Sequence, residues 1–364
     1  MTSAGALLAA TPPATLDPDE FAARVLAWFD RHGRHDLPWQ TPEDPYRVWV
    51  SEIMLQQTQV ATVLPYFSRF LARFPNVITL AQAPLDEVLA HWSGLGYYAR
   101  GRNLHRAAGV IVAEHGGRVP THFDALVALP GIGRSTAGAI AAIAGGERRA
   151  ILDGNVRRVL ARYLALPHAP GEAAGERTLW ALAERLTPAA RAGDYAQAMM
   201  DLGATVCRRG RPACAACPVA PGCQALAAGA PQDYPRPRRR AARPLRTAQL
   251  LLIEHAPGQV LLERRPAAGI WGGLWSPPQI EAGIDALDWC QRTFGQRAEP
   301  LAALTAIRHG FTHFELCLHP RRLRLAAPPP LAADQLWYKL GTSGPGGMPA
   351  PVSRLLAGLA APSR

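Results

Sequence analysis

Leu129-Pro130-Gly131-Ile132-Gly133-Arg134-Ser135-Thr136-Ala137-Gly138 ends one helical pattern and starts another within a few residues. The apolar segment 123–129 stops at Pro130, two glycines turn the chain, and helical spacing resumes near Ser135. Glycine permits the positive φ of a tight hairpin and lets a ligand reach the backbone. Unpaired N–H groups at the next helix start suit an anion such as a phosphate. The outline is helix–hairpin–helix, with Gly131, Gly133 and Ser135 as candidate phosphate contacts. A plain interhelical turn would have the same outline.

Outward from this hairpin, residues 18–227 read as all-α. Apolar residues recur at helical spacing from Phe21 after the candidate N-cap Asp17, then over 48–71, 85–92, 99–115, 123–129, 135–144, 156–164, 176–186 and 195–205. Residues 1–17 are expected to be a flexible tail. Segment 228–246 changes character: Tyr234-Pro235-Arg236-Pro237-Arg238-Arg239-Arg240 and Arg243-Pro244-Leu245-Arg246 disfavour both helix and burial. It reads as an extended linker, either a solvated spacer or a tracker of a phosphate backbone. Residues 247–364 read as α+β, with strands over 249–254, 259–263, 301–307, 313–318 and 336–340, and helices near 286–294 and 352–359.

Composition narrows the function. Lys+Arg 39 against Asp+Glu 28 leaves +11, which favours a polyanionic partner. Lys339 is the single lysine, so almost all the positive charge is arginine. No apolar run approaches the ~18–20 residues of a membrane span. With no basic residue before the apolar Ala4–Ala10 segment, an export signal is not expected. A cytoplasmic protein with a polyanionic partner such as nucleic acid is therefore expected. Four of the six cysteines crowd into Cys207-x6-Cys214-x2-Cys217-x5-Cys223. Four thiolates so close suit an iron–sulfur cluster or a tetrahedral zinc, with Arg208, Arg209 and Arg211 placed to offset the charge or face DNA.

Two acids stand in opposite settings. Glu52 lies in the apolar run Val48-Trp49-Val50-Ser51-Glu52-Ile53-Met54-Leu55, where desolvation would keep it protonated unless an arginine pairs with it. Asp153, in Ile151-Leu152-Asp153-Gly154-Asn155-Val156, precedes a helix whose N–H groups favour its ionised form; simple N-capping accounts for it equally. Carboxyls pushed apart in this way form a proton donor and a cation stabiliser.

In order along the chain, Ser51–Gln59, Gly94-Leu95-Gly96-Tyr97-Tyr98-Ala99-Arg100, the hairpin, Ile151–Asn155 and the cysteine loop resemble the A/G-specific adenine DNA glycosylases (the MutY family) of the helix–hairpin–helix superfamily. The likeness runs from Phe21 to Leu359. It implies a base-excision-repair enzyme that removes adenine mispaired with 8-oxoguanine or guanine, and a [4Fe–4S] cluster on Cys207, Cys214, Cys217 and Cys223. By resemblance, Glu52 would protonate adenine at N7 and Asp153 would steady the oxocarbenium-like sugar. Trp39 and Asn155 would line the pocket, while Gln57 and Tyr97 would wedge into the duplex once adenine is extruded. The C-terminal part resembles the MutT-like (Nudix-fold) domain of the same family, and Phe311, Thr312 and His313 match its 8-oxoguanine reader. Many relatives carry Ser where Thr312 stands. The acidic box with which Nudix hydrolases hold magnesium is missing around Trp271-Gly272-Gly273-Leu274-Trp275, which argues against pyrophosphate hydrolysis.

Two rivals remain at this stage. An endonuclease III-like lyase needs an amine nucleophile, yet Ser135 occupies the corresponding hairpin position and no lysine precedes Lys339. A non-enzymatic DNA clamp would need neither acid. The partners expected are double-stranded DNA with A:8-oxoguanine or A:G mispairs and other repair proteins, bound by a monomer with no membrane association.

Overall fold

A computed structural model describes residues 15–40, 44–236 and 242–360. The expected tail lies outside the described residues up to residue 14, as does the centre of the arginine-rich linker, 237–241. The last tail residues are tied down, with Leu16 N donating to Tyr163 Oη (2.7 Å) and Asp17 capping the first helix.

The helical part runs α1 (Pro18–His32), α2 (Pro45–Leu55), α3 (Val60–Arg73), α4 (Val77–Gln82), α5 (Leu85–Trp92), α6 (Ala99–Glu114), α7 (Phe123–Ala128), α8 (Arg134–Gly145), α9 (Gly154–Tyr163), α10 (Ala173–Leu186), α11 (Ala192–Asp201) and the short α12 (Gln224–Ala227). The hairpin expected at 129–138 joins α7 to α8. Gly131 takes φ 80°, a left-handed turn that favours glycine. Gly133, by contrast, is extended at φ −91° and needs no glycine on conformational grounds. Gly138 permits a close approach: a Cβ there would sit 2.6 Å from the Ala150 carbonyl oxygen, so α8 packs directly on the chain that leads to Asp153.

Four sequence expectations are corrected. The single helix over 48–71 is two, α2 and α3, parted where Gln57 turns left-handed at φ 58°. Nothing in Leu55-Gln56-Gln57-Thr58-Gln59-Val60 breaks a helix locally; instead Gln56 Nε2 donates across to Thr136 Oγ1 (3.2 Å) on α8. The helix over 195–205 ends at Asp201 and continues as a π-turn, Leu202–Val206, a distortion common at functional sites. Helix α4, capped by the Asn76 side chain, had no counterpart in the reading. The strand over 301–307 is also two pieces, as the sheets show.

The strands are β1 (Leu245–Glu254), β2 (Gln259–Arg264), β3 (Trp275–Ser276), β4 (Gln279–Glu281), β5 (Glu299–Ala303), β6 (Ile307–Gly310), β7 (Glu315–Arg324) and β8 (Gln335–Lys339), with helices α13 (Ala286–Phe294) and α14 (Ala350–Ala360). One sheet has the order β4-β1-β7-β5, with β6 also on β7; the other is β3-β2-β8. Strand β1 begins inside the expected linker and pairs parallel to β7. Its run Leu250-Leu251-Leu252-Ile253 is apolar throughout because both faces are covered. Leu250 and Leu252 pack with Val352 and Leu356 of α14, while Leu251 and Ile253 pack with Cys290 of α13 and Leu323.

Compactness cuts across chain order. One unit comprises the chain to Gln57 and Val110–Arg240; the other comprises Thr58–Gly109 with Ala241–Arg364. Helices α3–α5 and the start of α6 thus belong with the sheets: Ser93 Oγ and Tyr98 Oη both donate to the Met348 carbonyl, at 3.0 and 2.9 Å. In the other unit, α8, α9, α10 and α11 surround a core that includes Ile151, Leu152, Leu160, Leu179 and Met199.

Gly138→Ala should destabilise the protein by about 1–3 kcal/mol, since backbone rather than a movable side chain opposes the new methyl. Gly109→Ala in α6, where a Cβ meets nothing within 4 Å, should stabilise by about 0.4–1 kcal/mol. Calorimetric melting of both variants checks the contrast, and a shared sign would contradict it.

Candidate active site

Helix α2 starts from Asp44, whose carboxylate accepts Arg47 N (3.1 Å), with Pro45 in its first turn. It packs against α8 and buries Val50, Ser51, Ile53 and Met54. Glu52 is carried among them. The residue keeps partial solvent access, but the protein packed around its carboxyl dominates: burial first, and the charge of Asp153 second, push its pKa up to about 8. Among the described residues no arginine, lysine or histidine forms an ion pair with Glu52. Of the two readings open from sequence, the structure supports the retained proton.

Asp153 is the N-cap of α9. One carboxylate oxygen accepts Val156 N (2.8 Å) and the other accepts Asn155 Nδ2 (3.1 Å). Capping therefore engages one oxygen, while the second joins Asp153 to Asn155. The residues before it, Ile151 and Leu152, are core, and Leu152 N donates to Ser135 Oγ at 2.9 Å. Ser135 thus ties the hairpin helix to the segment that leads to Asp153, whatever else its hydroxyl binds. The N-cap of α8 is Gly133, which has no side chain to close the first turn.

Sequence reasoning missed two residues, Arg158 and Arg162, on the buried side of α9. Arg158 donates to Asn155 Oδ1 (2.9 Å), the Gly203 carbonyl (2.6 Å) and the Cys207 carbonyl (2.7 Å). Arg162 reaches Arg208 O (2.8 Å) and Cys207 Sγ (3.3 Å). Their i,i+4 spacing was visible, but arginine spacing alone does not separate an internal clamp from a solvated face. The four cysteines line one cavity with Val159, Arg162 and Tyr163. Among the described residues, no three His, Cys, Asp or Glu side chains converge closely enough to hold a single ion. The thiols surround a volume rather than a point.

Trp39 is buried in the loop after α1. That loop is closed by Gln40, which accepts Leu37 N (3.0 Å), and anchored by the fully buried Asp201, which accepts Arg34 N (2.8 Å) and Nε (2.9 Å). Gln57 is exposed at the left-handed turn after α2. In the second unit, Tyr97 has φ 47° and is 50% exposed, in a loop with Gly94 and Gly96 also at positive φ. Phe311, Thr312 and His313 form the turn between β6 and β7, closed by Phe311 N to Phe314 O (2.8 Å). Phe311 stacks on Phe314 (centroids 4.6 Å apart), while Thr312 and His313 are exposed. The first unit therefore gathers Glu52, Asp153, Asn155, the hairpin and the cysteines; the second carries Tyr97 and the 311–313 turn.

Residues 50–185 match the HhH-GPD superfamily of base excision DNA repair proteins, and residues 249–358 match the NUDIX domain family. The chain is 34% identical over 338 residues to an adenine DNA glycosylase of Buchnera aphidicola subsp. Baizongia pistaciae, spanning 92% of this chain and 95% of the relative. It is 37% identical over 372 residues to the adenine DNA glycosylase of Homo sapiens, spanning 85% of this chain and 68% of the relative. Among solved structures, a thermostable thymine-DNA glycosylase superposes with TM-score 0.51 at 28% identity, over 57% of this chain and 95% of that one. A chain that joins a helix–hairpin–helix repair domain to a Nudix-like one, and aligns with such relatives over nearly all its length, belongs to the adenine DNA glycosylase family.

Proposed function

We propose that the protein hydrolyses the N-glycosidic bond of adenine mispaired with 8-oxoguanine or guanine in duplex DNA, leaving an abasic site and an unbroken strand. One observation carries this reading: Glu52 is desolvated and holds its proton to about pH 8 beside the capped carboxylate of Asp153. A neutral acid next to a fixed anion is what loss of a purine requires. Adenine leaves poorly as an anion, and protonation at N7 by Glu52 makes it a neutral leaving group. The sugar left behind is an electron-poor oxocarbenium-like ion, which Asp153 steadies. Asn155 orients Asp153 through its side-chain amide, and Trp39 closes the pocket. Because the bond is inaccessible within the stack, adenine is extruded at a cost of a few kcal/mol, offset by the wedges Gln57 and Tyr97 and by phosphate contacts at Gly131, Gly133 and Ser135. Thr312 and His313, exposed beside the half-buried Phe311, read the opposite guanine.

The donor set fits a [4Fe–4S] cluster better than a lone zinc, since four thiols enclose a cavity without meeting at a point. Cys207, Cys214, Cys217 and Cys223 would hold such a group, which would pin the loop and supply no chemistry to the reacting bond. Arg162 donates to the Cys207 sulfur, which offsets the added negative charge. Monofunctional action follows from the lack of a nucleophilic amine: Lys339 is the single lysine and belongs to the second unit. The enzyme acts as a cytoplasmic monomer on DNA alongside other repair proteins; among the described residues no helix is long and apolar enough to cross a membrane.

A duplex carrying adenine opposite 8-oxoguanine should release free adenine, with strand scission only after alkali; scission without alkali, or trapping by borohydride, would overturn the monofunctional reading. Excision should fall as pH rises through about 8, where Glu52 loses its proton. Glu52→Gln should abolish release while the duplex is still bound. Stability responds to pH in the same direction. A carboxyl whose folded pKa lies above its unfolded value weakens the fold as pH climbs from about 4.5 to about 8. Glu52→Gln should therefore melt higher than the parent at pH 8 and like it at pH 4; an equal melting shift at both would contradict the assignment. Anaerobically purified protein should be brown and contain iron and acid-labile sulfide in equal amounts, both lost in Cys217→Ser; stoichiometric zinc would favour the other metal.

A further inference from the structure

The motif Trp271-Gly272-Gly273-Leu274-Trp275 has so far found no role, and neither has Arg102 on the first turns of α6. Trp271 is a buried, non-glycine residue at φ 56°, a left-handed conformation that bulky side chains avoid. Its neighbours hold it there. Arg265 Nε donates to the Ile270 carbonyl (3.0 Å) and Arg102 Nη1 to the Gly272 carbonyl (2.7 Å), while Leu274 N donates to Trp271 O itself (3.1 Å). Gly272 admits no side chain, since a Cβ would lie 2.2 Å from Ala267 O. The indole held in this way lies against both His309 and Phe311, with centroids 5.5 Å away in each case. These rings flank the turn that presents Thr312 and His313.

Helix α6 also holds the Tyr97 loop. Arg100 Nη2 donates to the carbonyls of Leu95 (3.2 Å) and Gly96 (3.1 Å), and its guanidinium lies 5.6 Å from the Tyr97 ring centroid. Two residues on, Arg102 grips the backbone beside Trp271. We propose that Arg102 and Trp271 are positioning residues for lesion specificity: they couple the 311–313 turn to the Tyr97 loop through the start of α6, so that both readers of the opposite guanine are set by one rigid piece. The inference rests on the assignment of Tyr97 and the 311–313 turn to that guanine. Both readers and the bridge lie in the second compact unit, whereas Glu52 and Asp153 lie in the first. Loss of the bridge should therefore change discrimination without disabling bond cleavage. Charge-assisted hydrogen bonds to carbonyls in a partly desolvated setting are strong enough for this role, and coupling carried by rigid elements is a physical route.

The test measures single-turnover excision by the full-length protein on duplexes with adenine opposite 8-oxoguanine or opposite guanine. Arg102→Gln should reduce the preference for 8-oxoguanine about tenfold, the scale of one charged hydrogen bond or a modest coupling, with the rate on the guanine duplex little changed. Arg102→Lys, which keeps a donor for the Gly272 carbonyl, should restore most of the preference. Parallel loss on both duplexes, or an unchanged preference in folded Arg102→Gln, would overturn the proposal. If that variant melts too low to assay, Trp271→Phe provides the same ratio, judged by the same outcomes. His313→Ala separates the two levels. If it leaves the preference intact, the assignment of the turn is wrong; if it removes the preference while Arg102→Gln does not, only the bridge is wrong. Adding Arg102→Gln to His313→Ala should cause no further loss, and full additivity would count against coupling.

Discussion

Two carboxyls held close in a desolvated site cannot both ionise cheaply, and the rest of this structure serves to keep them there. Left to relax, Glu52 would hydrate or find one of the many arginines, and its pKa would return towards the ordinary value. It does neither because α2 is pinned to α8 through buried side chains and the Gln56–Thr136 bond. Helix α8 is in turn pressed onto the segment before Asp153 by the absence of a side chain at Gly138 and by the Ser135–Leu152 bond. Asp153 cannot swing away to meet Glu52, since one of its oxygens closes the first turn of α9. Burial of the Glu52 carboxyl first, and the charge of Asp153 second, are what this packing maintains, and the proton on Glu52 is their consequence.

What could be read from the sequence depended on how local the cause was. The hairpin, both acids and the cysteine loop are short runs whose chemistry is set by neighbours in the chain. Asp153 shows its capping role because Gly154, Asn155 and Val156 follow it directly. Helix α13 was read at its full extent, 286–294. The break between α2 and α3 was illegible, because its cause, a glutamine bonded to another helix 80 residues away in sequence, leaves no mark nearby. Strands β5 and β6 merged into one for the same reason: both pair with β7, and where one stops is decided by that partner. The interleaved units were hidden most completely, since helices α3–α5 look like any other part of an all-α run.

Arginine offers a single physical explanation for several of the features missed. An excess of +11 suggests a surface made for DNA, yet Arg100, Arg158 and Arg162 are buried and directed inwards, and Arg102 is half-buried. Burial lowers the pKa of Arg100 to about 10, which still leaves it charged at neutral pH. Each donates to backbone carbonyls: those of Leu95 and Gly96 under Tyr97, Gly272 beside Trp271, Gly203 and Cys207 behind Asn155, and Arg208 after the first cysteine. These carbonyls belong to strained turns and loops, the segments on which the candidate functional residues sit. Unpaired, they would cost free energy or draw in water.

Lysine could not replace Arg100, Arg158 or Arg162, each of which bonds more than one carbonyl, with the same effect. A guanidinium presents five donors in a fixed plane and is more weakly hydrated than an ammonium, so it can bond several carbonyls at once and lose less on burial. Arg158 shows the consequence: one side chain fixes the amide of Asn155, the π-turn at Gly203 and the first cysteine of the loop. An ammonium would have to serve from one nitrogen the partners that Arg158 serves from three, and one of them, Asn155, is the partner of Asp153. A composition almost free of lysine therefore does more than deny the site a Schiff-base nucleophile. Arginine allows irregular backbone to be held from inside, so that the Asp153 segment and the Tyr97 loop can each adopt conformations their own residues would not choose.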